Sequence, residues 1–319
     1  MRKLALKVTE IEQLSPLVKR FRFEDPTGAS LPVFSGGAHI TVEMPEKTEA
    51  GDTIRRNSYS LISDPYDGSG YEIAVRREDK GRGGSLYMHR CVSEGDDITV
   101  SVPSNLFQLD LRARKHVLIG GGIGITPFLS QLKQLDMEQK PYELHYAARS
   151  REEAAGVKLL PQAAHIHVHI SEEGSRMDLG AILDGQPLGT HVYTCGPEGL
   201  ITAVADQTAR LGWPKAAVHS EAFTAPPPGE PFDVVIASTG QTVHVKADQS
   251  LLEALEAARV EVDYSCRGGA CGRCQTKVIA CDGRILHNDH WLSEDERAAQ
   301  KDIMPCMSRF KGARLELDL

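Results

Sequence analysis

Nine residues near the C-terminus, CRGGACGRC at 266–274, limit the fold of this chain more than any other stretch. Three thiols and three glycines in so short a run make a loop whose backbone turns closely around something, because glycine supplies positive φ and close approach without steric cost. The full set of seven cysteines is odd and unevenly spread. Cys91 and Cys195 stand alone, whereas Cys266, Cys271, Cys274, Cys281 and Cys306 crowd the last quarter. The N-terminus, MRKLALKVTEIEQL, has basic residues but no apolar h-region or small-residue cleavage site behind them, and no run of ~18 apolar residues occurs. The expectation is a cytoplasmic protein with no membrane association. In a reducing compartment, clustered thiols ligate metal rather than pair as disulfides.

The spacing C-x4-C-x2-C is that of plant-type [2Fe-2S] centres, in which three thiolates on one loop and a fourth from elsewhere hold two irons. Gly268, Gly269 and Gly272 suit this chemistry, since backbone N–H groups must turn toward sulfur. A zinc ribbon is the alternative, but such ribbons usually show two C-x2-C knuckles and here only Cys271 and Cys274 form one. Two later cysteines compete for the fourth position. Cys281 lies on CQTKVIACDG, which reads as a strand leaving the loop, and seven residues at ~3.3 Å each carry it more than ~20 Å away. Cys306, in IMPCMSRF, follows the helical turn SEDERAAQ and precedes the closing strand, on a second loop that can fold back. The expected ligands are therefore Cys266, Cys271, Cys274 and Cys306, with Cys281 a small buried or edge residue.

The rest of the chain divides into two further zones. Residues 1–111 read as short alternating runs, KLALKV, VKRFRF, HITVEM, YEIAVRR and DITVSV, broken by Gly, Pro and Asp turns, which predicts a small antiparallel barrel. Residues 112–225 alternate apolar strands (HVLIGG, YELHYAA, HIHVHI, HVYTCG, AAVHSE) with helical stretches, which predicts a doubly wound parallel α/β sheet. FTAPPPGEP at 223–231 is the linker candidate, and 226–319 supplies a hairpin, a helix around QSLLEALEAA and the cysteine loop in an α+β domain. With 319 residues the chain is long enough for several cores, and its formal charge of −8 argues against a nucleic-acid groove or a polybasic membrane patch.

Glycines at 120, 121, 122 and 124 follow the first parallel strand directly, with Thr126 as the expected N-cap and Pro127 as the first helical residue, so backbone can approach a pyrophosphate at a positive helix end. TCGPEGL at 194–200 repeats the strand, small-residue turn and helix at a later strand end, where a cofactor contact through Cys195 and Gly196 is the better reading and a small buried cysteine the alternative. On the barrel, RRNSYSLIS at 55–63 and GRGGS at 81–85 gather arginines, hydroxyls and pliant backbone that suit a phosphate and a planar ring. Glu172 and Glu173 stand where a carboxylate would read a ribose and disfavour a 2′-phosphate. His165, His167 and His169 share a strand face but have no carboxylate or cysteine partner in view, so a packed face explains them better than a metal.

Taken together, SYSL, IAVRRE, GRGGS, GGGIGITPFLS, YTCGPE, CRGGACGRC and LELDL, in this order, resemble the phthalate dioxygenase reductase family from end to end, and within it the reductases of carnitine-type monooxygenases. The resemblance implies a flavin barrel, a nicotinamide domain and a plant-type ferredoxin domain. It implies FMN, rather than FAD, together with NADH and a [2Fe-2S] cluster that serves a separate Rieske-type terminal oxygenase. Tyr59 and Ser60 match the flavin motif, Ala74, Val75 and Arg76 the flavin-edge strand, and Arg82, Gly83, Gly84 and Ser85 the phosphate loop. Gly122, Thr126, Cys195 and Phe223 match the nicotinamide and ring-covering positions, with Tyr59, Cys195 and Phe223 nearest the chemistry. One position departs: the usual R-x-Y-S reads Asn57-Ser58-Tyr59-Ser60, and strand alternation lets at most one of Arg55 and Arg56 replace the missing arginine, Arg56 being the one carried into the expected site. The rival readings are a stand-alone diaphorase or ferric reductase and a simple electron carrier. No C-x-H…C-x2-H pair of a Rieske centre is present, so the oxygenase is a separate chain.

Overall fold

Alternation of apolar and polar residues in the first hundred positions builds a sheet with one face buried. The computed structural model describes residues 2–48, 51–223 and 226–319. Its first strands are β1 (Lys3–Ser15), β2 (Val18–Glu24), β3 (His39–Thr48), β4 (Gly51–Ser60) and β5 (Tyr71–Arg76), followed by helix α1 (Gly84–Arg90) and β6 (Asp97–Ser101). They lie in the order β4-β3-β6-β1-β2-β5, every neighbour antiparallel. An antiparallel bridge from Leu61, just past β4, to Ile73 of β5 brings the sheet's two ends together, so it closes as a barrel. Phe21, Phe23, Ile40, Val42, Tyr71 and Ile73 fill the interior, each contributing about 1.5–3 kcal/mol by burial.

Past the barrel come β7 (Lys115–Gly121), α2 (Thr126–Met137), β8 (Tyr142–Ala148), β9 (Ile166–Ile170), α3 (Leu179–Leu183), β10 (Thr190–Cys195), α4 (Glu198–Arg210) and β11 (Val218–Glu221). The strands are parallel in the order β11-β10-β7-β8-β9, so the winding reverses between β7 and β10, where such sheets leave a crevice at their C-terminal ends. Val117, Ile119 and Val192 pack beneath Leu183 and Val204 on one face. On the other, Leu118, Leu144 and Tyr193 meet Phe128 and Leu129 of α2, and that core runs on into Leu14, Val18, Ile62 and Ala74 of the barrel. Polar ties reinforce it: the Gly36 N–H donates to Gln134 Oε1 (2.6 Å), the Gly37 N–H to Ser130 Oγ (3.0 Å), and Gln131 Nε2 to the Phe107 carbonyl (2.6 Å). Barrel and parallel sheet thus form one compact unit, Met1–Phe223.

The second unit spans Thr224–Leu319. Positions 224 and 225, on which the expected linker and domain boundary fall, lie outside the described residues. Its elements are β12 (Phe232–Ile236), β13 (Thr242–Val245), α5 (Leu251–Ala257), β14 (Thr276–Leu286), α6 (Glu294–Ala299), β15 (Asp302–Ile303) and β16 (Arg309–Leu317), with sheet order β13-β12-β16-β14-β15. Ser250 and Glu253 form a capping box on α5, and Ser293 and Glu296 another on α6. Arg309 is buried and donates to the carbonyls of Glu230 (2.9 Å), Lys246 (3.1 Å) and Gln249 (2.8 Å). Gly229 makes room for it, since a Cβ there would sit 2.6 Å from Arg309 Nε. No helix among the described residues is long and apolar enough to cross a membrane.

Candidate functional site

Successive side chains of β4 face opposite ways. Asn57 and Tyr59 share one face, Asn57 Nδ2 donating to the Tyr59 phenol at 3.3 Å, and burial pushes that phenol up to about 12. The glycine turn lies against the same face: a Cβ on Gly84 would fall 2.3 Å from Asn57 Nδ2, and one on Gly83 would lie 3.8 Å from the Arg55 guanidinium. Gly83, at φ +93°, turns the chain into α1, whose first N–H groups, beginning at Gly84 and Ser85, lack intrahelical partners. The Ser85 hydroxyl accepts the Glu78 N–H at 3.0 Å, fastening the turn after Arg82. Arg56 lies on the other face, its Nε 2.8 Å from Glu43 Oε1, a carboxylate that Lys3 also reaches at 2.9 Å. Of the two arginines weighed for the place beside Asn57, it is Arg55 that shares its face. Ser60, buried at the end of β4, lies on the Arg56 side.

On β5, Val75 turns into the barrel core with Ile73, while Ala74 and Arg76 turn outward. Ala74 and Arg76 line a cavity of about 180 Å³ together with Gly122, Thr126 and Ser150 from the parallel sheet and the β1–β2 turn at Leu14–Val18. Thr126 departs from the sequence expectation. Residues Gly122–Ile125 form a 3-10 turn that runs straight into α2, so Thr126 is the first residue of that helix rather than its cap, and its hydroxyl donates to the Ile123 carbonyl at 3.0 Å. The helical start is moved back to Gly122, at φ +56°, with Pro127 inside the first turn of α2. Two loops meet here backbone to backbone. A Cβ on Gly124 would lie 2.4 Å from the Cys195 carbonyl oxygen, and one on Gly121 would lie 3.7 Å from the Gly196 Cα. Cys195 is fully buried, and burial, helped by the charge of Glu221, holds its thiol well above its ordinary value, so it presents a neutral S–H. Phe223 stands two residues past β11 with half its surface exposed.

Glu172 and Glu173 follow β9 as expected, yet both are neutralised by arginines that the sequence did not single out. Arg149 Nε lies 3.3 Å from Glu172, and Arg151 binds Glu173 through Nε and Nη2, the latter at 2.9 Å. The histidines divide. His165 precedes β9 and meets Tyr142 edge-on, whereas His167 stacks on His145, whose Nδ1 lies 3.2 Å from His169 Nε2.

In the second unit the sulfurs of Cys274 and Cys306 lie 3.2 Å apart, although 32 residues separate them in sequence. Cys266 is hydrogen-bonded to Cys271 and accepts the N–H groups of Gly268 and Ala270 at 3.4 Å; these bonds, the Cys271 one first, pull its thiol down to about 5. Cys271 and Cys306 are pushed up as the proton-holding partners of their pairs. In each pair one thiol gives up its proton easily while its partner keeps one, and backbone donors are aimed at the Cys266 sulfur, an arrangement that suits iron ligation. Cys281 is exposed on β14, opposite Leu315. Sequence reasoning missed the cover of this loop. Gly269, at φ +74°, presses on Asp289, and Gly272, at φ +71°, lies under the ring of Trp291. No local signal announces contacts between residues nearly twenty positions apart.

A closed antiparallel barrel joined to a doubly wound sheet, followed by a thiol loop on a mixed sheet, defines the class of flavin- and nicotinamide-binding reductases that carry a ferredoxin domain. The chain belongs to the phthalate dioxygenase reductase family. The solved structure of phthalate dioxygenase reductase, described as modular for electron transfer from pyridine nucleotides to [2Fe-2S], is 36% identical and matches with a TM-score of 0.85 over 99% of this chain and 98% of that one. The carnitine monooxygenase reductase subunit of Acinetobacter baumannii is 44% identical over 98% of this chain and 96% of its own length. The heme-dependent oxidative N-demethylase beta subunit of Ectopseudomonas mendocina is 45% identical over 99% of both. Residues 234–311 match the 2Fe-2S iron-sulfur cluster binding domain, and residues 98–218 the N-terminal domain of dimethylamine monooxygenase subunit DmmA-like proteins. The protein is thus an oxidoreductase of the oxygenase-reductase type, passing electrons through flavin and a [2Fe-2S] centre.

Proposed function

We propose that this reductase takes electrons from NADH through FMN and delivers them, by way of a cluster on Cys266, Cys271, Cys274 and Cys306, to a Rieske-type terminal oxygenase in the cytoplasm. The observation that carries the reading is that flavin-edge and nicotinamide residues assigned on separate motifs, Ala74 and Arg76 with Gly122 and Thr126, line one cavity. FMN is favoured over FAD because the glycine turn at Gly83–Ser85, with Arg82, Arg55 and Asn57 around it, offers one phosphate-sized cradle. A flavin accepts two electrons together and can release them singly, which matches a hydride donor to a one-electron centre. Tyr59 backs the ring, Arg76 and the helical start at Gly122 hold the nucleotide phosphates, and Phe223 covers the ring until the nicotinamide displaces it. The buried Cys195 thiol, neutral and uncharged, shapes the nicotinamide side. Glu172 and Glu173 favour NADH by occupying Arg149 and Arg151.

A second acceptor is favoured by one specific likeness, that to the heme-dependent oxidative N-demethylase beta subunit, so a heme-dependent N-demethylase is the alternative partner. Four measurements test the proposal. Acid-released flavin should run as FMN, and kcat/KM should favour NADH over NADPH. Cys306→Ser should lose iron, sulfide and the rhombic signal of the reduced cluster, whereas Cys281→Ser keeps them; the reverse pattern overturns the ligand set. Reduction of a purified Rieske oxygenase, compared with a heme N-demethylase, decides the acceptor.

A further inference from the structure

Trp291 is among the large apolar side chains left exposed in the second unit, at 52% exposure, and it is not loosely placed. Its ring lies on Gly272, between Cys271 and Cys274: a Cβ on that glycine would fall 2.2 Å from Cε2 of the indole. The indole N–H donates to Gln275 Oε1 at 3.2 Å, and the Trp291 backbone N–H donates to Asp289 Oδ2 at 3.2 Å. Asp289 is buried, also accepts the Leu292 N–H at 2.9 Å, and its neighbour His290 donates its N–H to the Gly269 carbonyl at 3.0 Å. The segment 289–292 is therefore pinned across the thiol loop at Gly269 and Gly272, with the ring half exposed. A half-exposed tryptophan held by its own N–H, on a backbone position that only a glycine can concede, is a cover rather than a core residue.

We propose that Trp291 is a positioning residue that keeps water from the outer side of the loop between Cys271 and Cys274, and thereby sets the reduction potential and air stability of the iron–sulfur centre. The inference rests on the ligand set proposed above. Reduction adds one electron to a thiolate-ligated centre that is already anionic, so the reduced state gains most from water; admitting water raises the potential, and it also opens the sulfurs to oxidant. The indole lies against Gly272 and is half exposed, so removing the ring changes solvent access without removing a ligand.

The experiment uses the full-length protein. Iron and sulfide content of the unaltered chain first tests the ligand reading independently of Trp291. Trp291→Ala should then raise the midpoint potential measured by dye equilibration and shorten the half-life of the cluster's visible absorbance in air about 10-fold, the lower end for groups that support metal ligands. Trp291→Phe, which restores an aromatic cover, should return both values most of the way, and Gln275→Ala, which removes only the anchor of the indole, should fall between. If Trp291→Ala cannot be isolated with its cluster, the Phe and Gln275 variants carry the test. An unchanged potential and half-life in Trp291→Ala overturns the proposal, as does a Trp291→Phe that behaves like the alanine variant or a Gln275→Ala indistinguishable from the unaltered chain.

Discussion

Arg55 and Arg56 adjoin in sequence and have opposite surroundings, which makes them the sharpest residue-scale test of the flavin cradle. Arg56 is held by Glu43 across the strand pair, whereas Arg55 stands beside Gly83 on the face of Asn57. Arg55→Ala should therefore weaken flavin binding about 10-fold, the loss of one charge-assisted hydrogen bond, when flavin fluorescence is titrated against apoprotein. Arg56→Ala should leave the affinity unchanged; equal losses from both would remove Arg55 from the phosphate. Strand alternation lets at most one of the pair share the face of Asn57, and period two already points to Arg55, two residues before it. Carrying Arg56 into the site went against that alternation, and Glu43, thirteen residues away on β3, holds Arg56 on the opposite face. Cys281 was set apart by strand rise, seven residues carrying it along β14, where it lies exposed opposite Leu315, while the arginines facing Glu172 and Glu173 went unseen, since they come from the end of another strand.

At the scale of elements, helices that announce themselves chemically were readable and those that do not were missed. QSLLEALEAA was read as a helix, and α5 starts there on the capping box of Ser250 and Glu253; the βα alternation gave the strands around the crevice. Helix α1 hides behind a glycine cap with no side-chain bond, and the start of α2 was read one residue late, with the 3-10 turn ahead of it unseen, because GIGI carries no capping side chain to mark it. That stretch also bears the strictest steric demand in the crevice. Gly124→Ala puts a methyl against the Cys195 carbonyl, which should cost about 1–3 kcal/mol and slow flavin reduction by NADH in stopped flow at least ~10-fold by parting the two loops. Gly199→Ala, in the first turn of α4 where an added Cβ meets nothing within 4 Å, should be neutral or stabilising by up to about 1 kcal/mol. A Gly124→Ala protein with normal melting and normal reduction kinetics would falsify the backbone-contact argument.

At the scale of the whole molecule, the barrel and the parallel sheet share one core, so a fault in either should be felt across Met1–Phe223. His39, on β3, provides a titratable probe. Burial lowers its imidazole to about 4 from an ordinary 6.5, so the folded unit keeps it neutral while the unfolded chain binds a proton below pH 6.5. Its effect on stability is nil above pH 6.5 and grows unfavourable as pH falls toward 4, by at most about 3 kcal/mol. His39→Gln should flatten that part of the profile when urea midpoints at pH 7 and pH 5 are compared, and an unchanged slope assigns the acid sensitivity elsewhere. The proline run was read from the sequence as a linker, but nothing there showed what fastens the chain beyond it. Arg309, eighty residues further on, grips the carbonyl of Glu230 beside Gly229. The flavin and cluster domains belong to one polypeptide. Internal electron transfer is therefore a first-order event, blind to how much of the protein a cell makes, and abundance governs only how often an external acceptor is met.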